Sequence, residues 1–253
     1  MITQAIVRKP CNAIIKALTT SDMGPPNYQA ALSQHTAYIA ALRDCGLDVI
    51  ELPADESFPD STFVEDVALL TPQCAILTRP GAPSRTEEVV TMAPVIQEYY
   101  ESIEIIDAPG MLDAGDILLA EEHYYIGLST RTNRSGAEQL INILARYGMT
   151  ASIVCLDSVL HLKTGIGYLD NGDILTSGEF IDKPEFTAFH QIPLPEDEAA
   201  AANSLYINGT VLMPDGYPKA QAIIEAKGYP VKTIDISEFE KIDGGISCLS
   251  LRF

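Results

Sequence analysis

The sequence predicts an α/β fold in which one strand-hairpin-helix unit is repeated five times. Segments with strand periodicity alternate with segments of helical periodicity along all 253 residues. The first polar residue of each expected inner strand recurs about every 45 residues, a spacing typical of repeat folds. These five residues are Glu65, Asp113, His161, Asn203 and Cys248. No shift of composition interrupts the repeat, so it favours one domain over residues 1–253 rather than two smaller ones.

The first two units begin near the N-terminus. A strand near residues 5–7 precedes a helix over 27–45, in which apolar side chains recur at helical spacing and Gly46 supplies the C-terminal stop. A second strand over 74–80 leads to a helix that begins at Ser84, because a glutamate follows three residues later as in a capping box. Both units therefore place a strand directly before a helix.

The last segment, residues 242–253, is predicted to be the closing strand. Read at period two, Leu249 lies on the apolar face and Cys248 on the opposite face. In the alternating segment 159–169, His161 likewise faces away from the apolar layer. If the units are arranged radially, these polar faces converge on one central channel. Cys248 and His161 are then expected to meet, although they are far apart in sequence.

Composition is that of a globular protein with 47% hydrophobic residues. The first residues do not resemble a signal peptide, and no apolar run of about 18 residues is present to cross a bilayer. We therefore expect a cytoplasmic protein with no membrane partner. Five cysteines, an odd number without a CxxC pair, argue against a disulfide framework and against a cysteine zinc site.

The charge balance is strongly acidic. Lysine and arginine number 16 against 35 aspartate and glutamate, which gives a formal net charge of −19. This sign is wrong for binding a phosphate backbone, so nucleic acid is not an expected partner. An acidic field instead attracts cations.

Cys248 and His161 suggest nucleophilic catalysis. A cysteine needs a base or a positive neighbour to react, and a catalytic histidine needs a third group that fixes its tautomer. Asp113 can fill that third position. Taken alone, each of these residues is more often structural than catalytic, so the hypothesis depends on their convergence.

Acidic residues near the expected channel mouth point to a cationic substrate. A unit charge 4 Å away contributes about 4 kcal/mol at an effective dielectric of 20, or about three pKa units, so the acids should raise the pKa of the thiol. A guanidinium would neutralise them, lower that pKa on binding, and offer an electrophilic carbon. The acids in question are Asp60, Glu65, Asp66 and Asp113.

Two arginines occupy matching places in consecutive units. Arg85 lies at the start of the helix after one strand, and Arg131 lies just before the next helix. Each alone is more often a surface charge. Together, at the border of an acidic pocket, they predict a clamp for a substrate α-carboxylate.

Six motifs carry a resemblance to a known family. They are FPDSTFVEDVALL, ILTRPGAPSR, LDAGDILL, YIGLSTRTNRSGAE, LHLKTG and KIDGGISCLSLRF. These motifs closely resemble the dimethylarginine dimethylaminohydrolase family of the guanidine-modifying superfamily. The resemblance implies the five-bladed α/β propeller, or pentein, fold.

The same resemblance implies a role for each site residue. Cys248 would be the nucleophile, His161 the proton donor to the leaving amine and later the base for water, and Asp113 the group that orients His161. Glu65 and Asp66 would hold the guanidinium. The α-amino end would contact Asp60 and the backbone of Leu18 and Ile242, and Arg85 and Arg131 would bind the carboxylate. Residues 19–27 would form a lid.

The implied reaction is hydrolysis of Nω,Nω-dimethylarginine or Nω-methylarginine to citrulline through a covalent S-alkylthiouronium. It requires a small-molecule substrate and no cofactor, and we predict no metal. Two alternatives stay open at this point: an arginine deiminase that releases ammonia, and a non-catalytic pentein binding protein. Deiminases carry a carboxylate two residues after the histidine, where this chain has Lys163. The sequence leaves open whether two chains pair as a homodimer.

Overall fold

Fifteen strands form five sheets of three strands each in the computed structural model, which describes residues 1–253. In every sheet the first strand is antiparallel to the second, and the second is parallel to the third. The strands are β1 (Gln4–Arg8), β2 (Asp48–Leu52), β3 (Ala68–Leu70), β4 (Ala75–Leu77), β5 (Ile103–Ile105), β6 (Ile117–Ala120), β7 (His123–Leu128), β8 (Thr150–Cys155), β9 (Ile166–Tyr168), β10 (Asp173–Thr176), β11 (His190–Pro193), β12 (Leu205–Ile207), β13 (Thr210–Pro214), β14 (Val231–Ile234) and β15 (Leu251–Arg252).

Helices connect the parallel strands, which cannot be joined by a tight turn. They are α1 (Tyr28–Asp44), α2 (Glu88–Ile96), α3 (Arg134–Arg146) and α4 (Pro218–Ala226). A further single turn, α5 (Ser237–Glu240), lies between β14 and β15. In the sheet of β9, β10 and β11, two short 3₁₀ turns replace the connecting helix. None of these helices combines the length and the apolar character that a membrane crossing requires.

The five sheets surround a common axis. One strand of each sheet, namely β3, β6, β9, β12 and β15, lines a central cavity of about 270 Å³. The ring is closed by the C-terminus, because β15 pairs with β1 and so completes the sheet that the N-terminus begins. The chain therefore has the predicted five-bladed α/β propeller fold.

The helix predicted over residues 27–45 agrees closely with α1. Asn27 caps this helix by accepting a hydrogen bond from the backbone of Ala30, and Gly46 adopts a positive φ of 88° just after the helix. The helix start predicted at Ser84 was wrong. A 3₁₀ turn over Pro83–Arg85 comes first, and α2 begins only at Glu88 without a side-chain cap.

The predicted long terminal strand was also wrong in part. Cys248 lies in a 3₁₀ turn over Ser247–Leu249, where its backbone N–H donates to Gly245, and strand pairing is limited to β15. The alternating pattern thus extends over both the turn and the short strand, and only its second half is a strand.

The five repeated polar residues share one position in each blade. Each lies within or beside a 3₁₀ turn that precedes an inner strand. The repeat is thus confirmed, although the residues occupy turns instead of strands. These turns bring the side chains together at one end of the ring.

Candidate active site

Cys248 and His161 line two adjoining cavities at this end of the ring. The larger cavity has a volume of about 420 Å³, and Glu65 lies on its wall. Asp113 reaches neither cavity, since it is completely buried behind His161. The narrower cavity contains most of the residues that the sequence singled out: Leu18, Asp60, Asp66, Arg85, Arg131, His161, Ile242 and Cys248.

Asp113 is held rigidly beneath the imidazole. Its Oδ2 lies 3.1 Å from Nε2 of His161, and its Oδ1 accepts a hydrogen bond of 2.8 Å from the backbone N–H of Gly81. A Cβ at Gly81 would lie only 2.4 Å from the carbonyl oxygen of Arg131, so a glycine is needed for this approach. The geometry is that of an oriented histidine-carboxylate pair.

The imidazole is protonated in the resting site. Burial lowers the pKa of His161, but the hydrogen bond to Asp113 and the charge of Asp66 outweigh it and raise that pKa to about 9. His161 therefore carries a proton near neutral pH, as a donor to a leaving amine requires.

The thiol of Cys248 is protonated at rest. Burial is the largest cause, and the charges of Glu65 and Asp66 add to it, raising the pKa to about 12. The acids thus act in the direction expected from the sequence, but desolvation contributes more than they do.

Asp116 is a positioning residue that sequence reasoning missed. Its Oδ1 accepts the backbone N–H of Leu162 at 2.9 Å, and its Oδ2 accepts the hydroxyl of Ser129 at 2.6 Å. It thereby fixes the turn that begins at His161. The second acid of the LDAGD motif was the available signal.

Asp66 and Arg85 form a buried ion pair. Oδ2 of Asp66 lies 2.5 Å from Nη1 of Arg85, whose Nε and Nη2 donate to Glu88, another residue that the sequence did not single out. Nη2 also donates to the carbonyl of Phe63. Since a guanidinium has five N–H donors, only one hydrogen on Nη1 is left for a ligand. Arg85 can therefore offer one N–H to a carboxylate, and its part in a clamp with Arg131 stays a prediction.

Arg131 differs from Arg85 because its guanidinium makes no ion pair and no hydrogen bond within the protein. Only its backbone N–H is engaged, by the hydroxyl of Ser129. It is partly exposed on the wall of the narrower cavity. Arg131 is thus a cation of this cavity without a partner in the protein, and its binding of a carboxylate stays a prediction.

Asp60 and the expected lid lie at the same end. Oδ1 of Asp60 accepts the backbone N–H of Leu18 at 3.0 Å, and burial raises the pKa of this carboxyl group. The backbone and hydroxyl of Thr20 both donate to Oδ2 of Asp243, and Thr20 and Met23 line the larger cavity, whereas a lid formed by residues 19–27 stays a prediction.

Glu65 is the centre of an ion cluster. Its Oε1 lies 2.7 Å from Nζ of Lys163 and 2.9 Å from Nη2 of Arg252, and its Oε2 accepts the hydroxyl of Ser247. Burial raises the pKa of Glu65, but the charges of Lys163 and Arg252 outweigh it and keep that pKa below its usual value. Because both oxygens are engaged, binding of a guanidinium by Glu65 stays a prediction.

Asn203 links the turns that carry His161 and Cys248. Its Nδ2 donates to the carbonyl of Lys163 at 2.8 Å and to the hydroxyl of Ser247, while its Oδ1 accepts the backbone N–H of Ser247 at 2.9 Å. The sequence marked this position only through the repeat. The side chain fixes the spacing between the two reactive turns.

Three possible metal ligands lie close together at the site. Ligand atoms of Asp66, Asp113 and His161 fall within 4.8 Å of one another. These groups are already engaged, Asp66 with Arg85 and Asp113 with His161. The arrangement serves as a set of ion pairs around the histidine.

Known proteins resemble this chain over its whole length. A family profile described as eukaryotic N,N dimethylarginine dimethylhydrolase matches residues 9–166. The chain is 49% identical to the N(G),N(G)-dimethylarginine dimethylaminohydrolase of Pseudomonas aeruginosa, with 100% of each chain covered. It is 32% identical to the protein of that name from Streptomyces coelicolor, over 98% of this chain and 96% of the relative.

A solved structure agrees with these sequence matches. It is a cysteine-to-serine variant of the Pseudomonas aeruginosa enzyme complexed with citrulline, and it matches with a TM-score of 0.99, 49% identity and 100% coverage of both chains. The resemblance deduced from the motifs is thereby confirmed: the chain belongs to the dimethylarginine dimethylaminohydrolase family.

Proposed function

We propose that this protein hydrolyses Nω,Nω-dimethylarginine or Nω-methylarginine to citrulline and dimethylamine or methylamine. The observation that carries the proposal is the convergence of a thiol and a histidine-aspartate pair at an acidic cavity that also holds an unpaired arginine. Membership of the family agrees with this chemistry.

The narrower cavity fits the amino-acid end of such a substrate. The α-carboxylate is assigned to Arg131, supplemented by the remaining N–H of Arg85. The α-ammonium is assigned to Asp60 and the backbone carbonyls of Leu18 and Ile242. Asp66 then faces the guanidinium, which would place its central carbon near Cys248.

Catalysis begins when the bound cation favours loss of the thiol proton to solvent. The thiolate of Cys248 adds to the guanidinium carbon, and protonated His161 gives its proton to the departing amine, which leaves a covalent S-alkylthiouronium. Neutral His161 next takes a proton from water as the water adds to the same carbon. Breaking the C–S bond returns the thiolate, and loss of the remaining hydroxyl proton to solvent leaves citrulline.

A product assay tests the proposal. Purified wild type should release dimethylamine or methylamine and citrulline from the methylated arginines, whereas Cys248→Ser should retain its fold and lose turnover. Ammonia from unmodified arginine as the dominant product would favour the deiminase. An inactive wild type would favour the binding protein.

Lys163 distinguishes the proposed methylarginine hydrolase from an arginine deiminase. It occupies the place of the deiminase carboxylate, and its ammonium is paired with Glu65 at 2.7 Å. No second carboxylate therefore follows His161 to bind an unsubstituted guanidinium nitrogen, which favours a substrate with methyl groups there.

We also propose a reducing, cytoplasmic location. All five cysteines are free, as suits a compartment that keeps thiols reduced. Cell fractionation with antibody detection tests this, and recovery with the secreted fraction would contradict it. Analytical ultracentrifugation would decide whether the chain forms a homodimer.

A further inference from the structure

The larger cavity extends well beyond the reacting groups. Its volume of about 420 Å³ falls in the range typical of ligand pockets, about 300–1,000 Å³. One water molecule occupies about 30 Å³ in the liquid, and a methyl group is of similar size, so two methyl groups leave most of the space unfilled. The cavity therefore has room for a substituent longer than a methyl group.

The position of the larger cavity places it beside the guanidinium nitrogen that departs with the amine. Asp66 and Arg131 line only the narrower cavity, whereas Cys248 and His161 line both. This step rests on the proposed function, in which the amino-acid end occupies the narrower cavity and His161 protonates the leaving nitrogen. A substituent on that nitrogen then projects into the larger cavity.

The wall beyond the reacting groups contains a carboxylate without a cation. Tyr217 donates from its hydroxyl to Oε1 of Glu240 at 2.8 Å, and both residues line the larger cavity. Oε2 of Glu240 accepts no hydrogen bond from the protein, and Glu240 takes part in none of the ion pairs of the chain. A half-buried carboxylate gains most from a charged donor, because such hydrogen bonds are about twice as strong as neutral ones.

The other two carboxyl groups of the cavity accept more hydrogen bonds than Glu240 does. Glu65 is paired with Lys163 and Arg252, and Asp243 accepts two hydrogen bonds from Thr20. Glu240 accepts one hydrogen bond, the fewest of the three carboxyl groups that line this cavity, and therefore has the most free capacity for a cation.

We propose that the larger cavity is a chamber for Nω substituents that end in an ammonium group, with Glu240 as the acceptor and Tyr217 as the residue that orients it. The protein then hydrolyses Nω-(aminoalkyl)arginines as well as methylarginines. The thiolate of Cys248 adds to the guanidinium carbon, and the bond to the substituted nitrogen breaks as that nitrogen takes the proton of His161 and departs as one end of a diamine. Water then cleaves the bond between the carbon and Cys248. Citrulline is the second product.

The test compares Nω-(aminoalkyl)arginines of two to four carbons with alkyl analogues of equal length. Wild type is expected to show at least about a tenfold higher kcat/KM for the best aminoalkyl compound than for its neutral match, as for a charge-assisted hydrogen bond. Glu240→Gln should reduce this ratio to near one, and Tyr217→Phe should reduce it less. Glu225→Gln is the control, because it removes the same charge as Glu240→Gln but lies on the exposed face of α4, outside both cavities.

A binding measurement separates this proposal from the proposed function. Calorimetry with Cys248→Ser should show tighter binding of the aminoalkyl compound than of its neutral match, and Glu240→Gln in that background should remove the difference. Equal binding of both compounds, or a preference that persists in Glu240→Gln, would contradict the proposal that Glu240 binds the ammonium group. Failure of wild type to hydrolyse methylarginine would contradict the proposed function. The calorimetry would still show whether the larger cavity binds an ammonium group.

Discussion

Two charged regions meet at the catalytic end of the ring, and they differ in how their charges are compensated. Around Glu65, every charge has a partner: Lys163 and Arg252 are both within 3 Å of its Oε1. Around the narrower cavity, Arg131 makes no ion pair, and Asp60 has only a backbone N–H of Leu18 as a donor to its side chain. Compensated charges hold the blades together, whereas uncompensated charges are the ones available to a ligand.

The largest effect on the free energy of unfolding is expected at Glu65. Replacing Glu65 by Ala leaves Lys163 and Arg252 without their anion, and loss of one partner of a buried ion pair costs about 3–5 kcal/mol. We expect the free energy of unfolding to fall by that amount in urea denaturation. Glu51→Ala removes an exposed pair with Arg43 and should cost no more than about 1 kcal/mol. Equal losses in the two variants would show that the central cluster does not bind the blades together.

Replacement of Arg131, in contrast, is expected to affect substrate binding and not stability. Arg131→Ala should leave the free energy of unfolding within about 0.5 kcal/mol of wild type, because no protein group loses a partner. KM for methylarginine should rise about 10- to 100-fold, as for loss of one charge-assisted hydrogen bond. Steady-state kinetics and urea denaturation measure both. A large loss of stability with an unchanged KM would contradict the assignment.

The free energy of unfolding is also expected to depend on pH through His161. Its pKa is raised from 6.5 to about 9 in the folded state. The stabilisation is therefore complete below pH 6.5 and is lost as the pH rises through about 9. The free energy of unfolding should fall over this window in wild type and fall less in His161→Asn. An equal fall in both proteins would mean that other groups cause it.

These regions also show what the sequence could and could not predict. The repeat was visible because one polar residue marks each blade, and this placed His161 and Cys248 together. The partners of Glu65 were not visible, because Arg252 reaches it only after β15 closes the ring on β1. The helix start at Ser84 was wrong because local spacing suggested a cap. The structure instead uses this turn to bury Arg85 between Asp66 and Glu88.

Activation of the Cys248 thiol by a cationic ligand that enters an acidic, desolvated site is the step on which the proposed catalysis depends. It is tested by following the ultraviolet absorbance of the Cys248 thiolate against pH, in a protein whose other four cysteines are replaced by alanine. Saturation with an unreactive amidinium analogue of the substrate should lower the pH midpoint clearly from its high resting value. Calorimetry would confirm that the analogue is bound. An unchanged midpoint with the analogue bound would contradict the account.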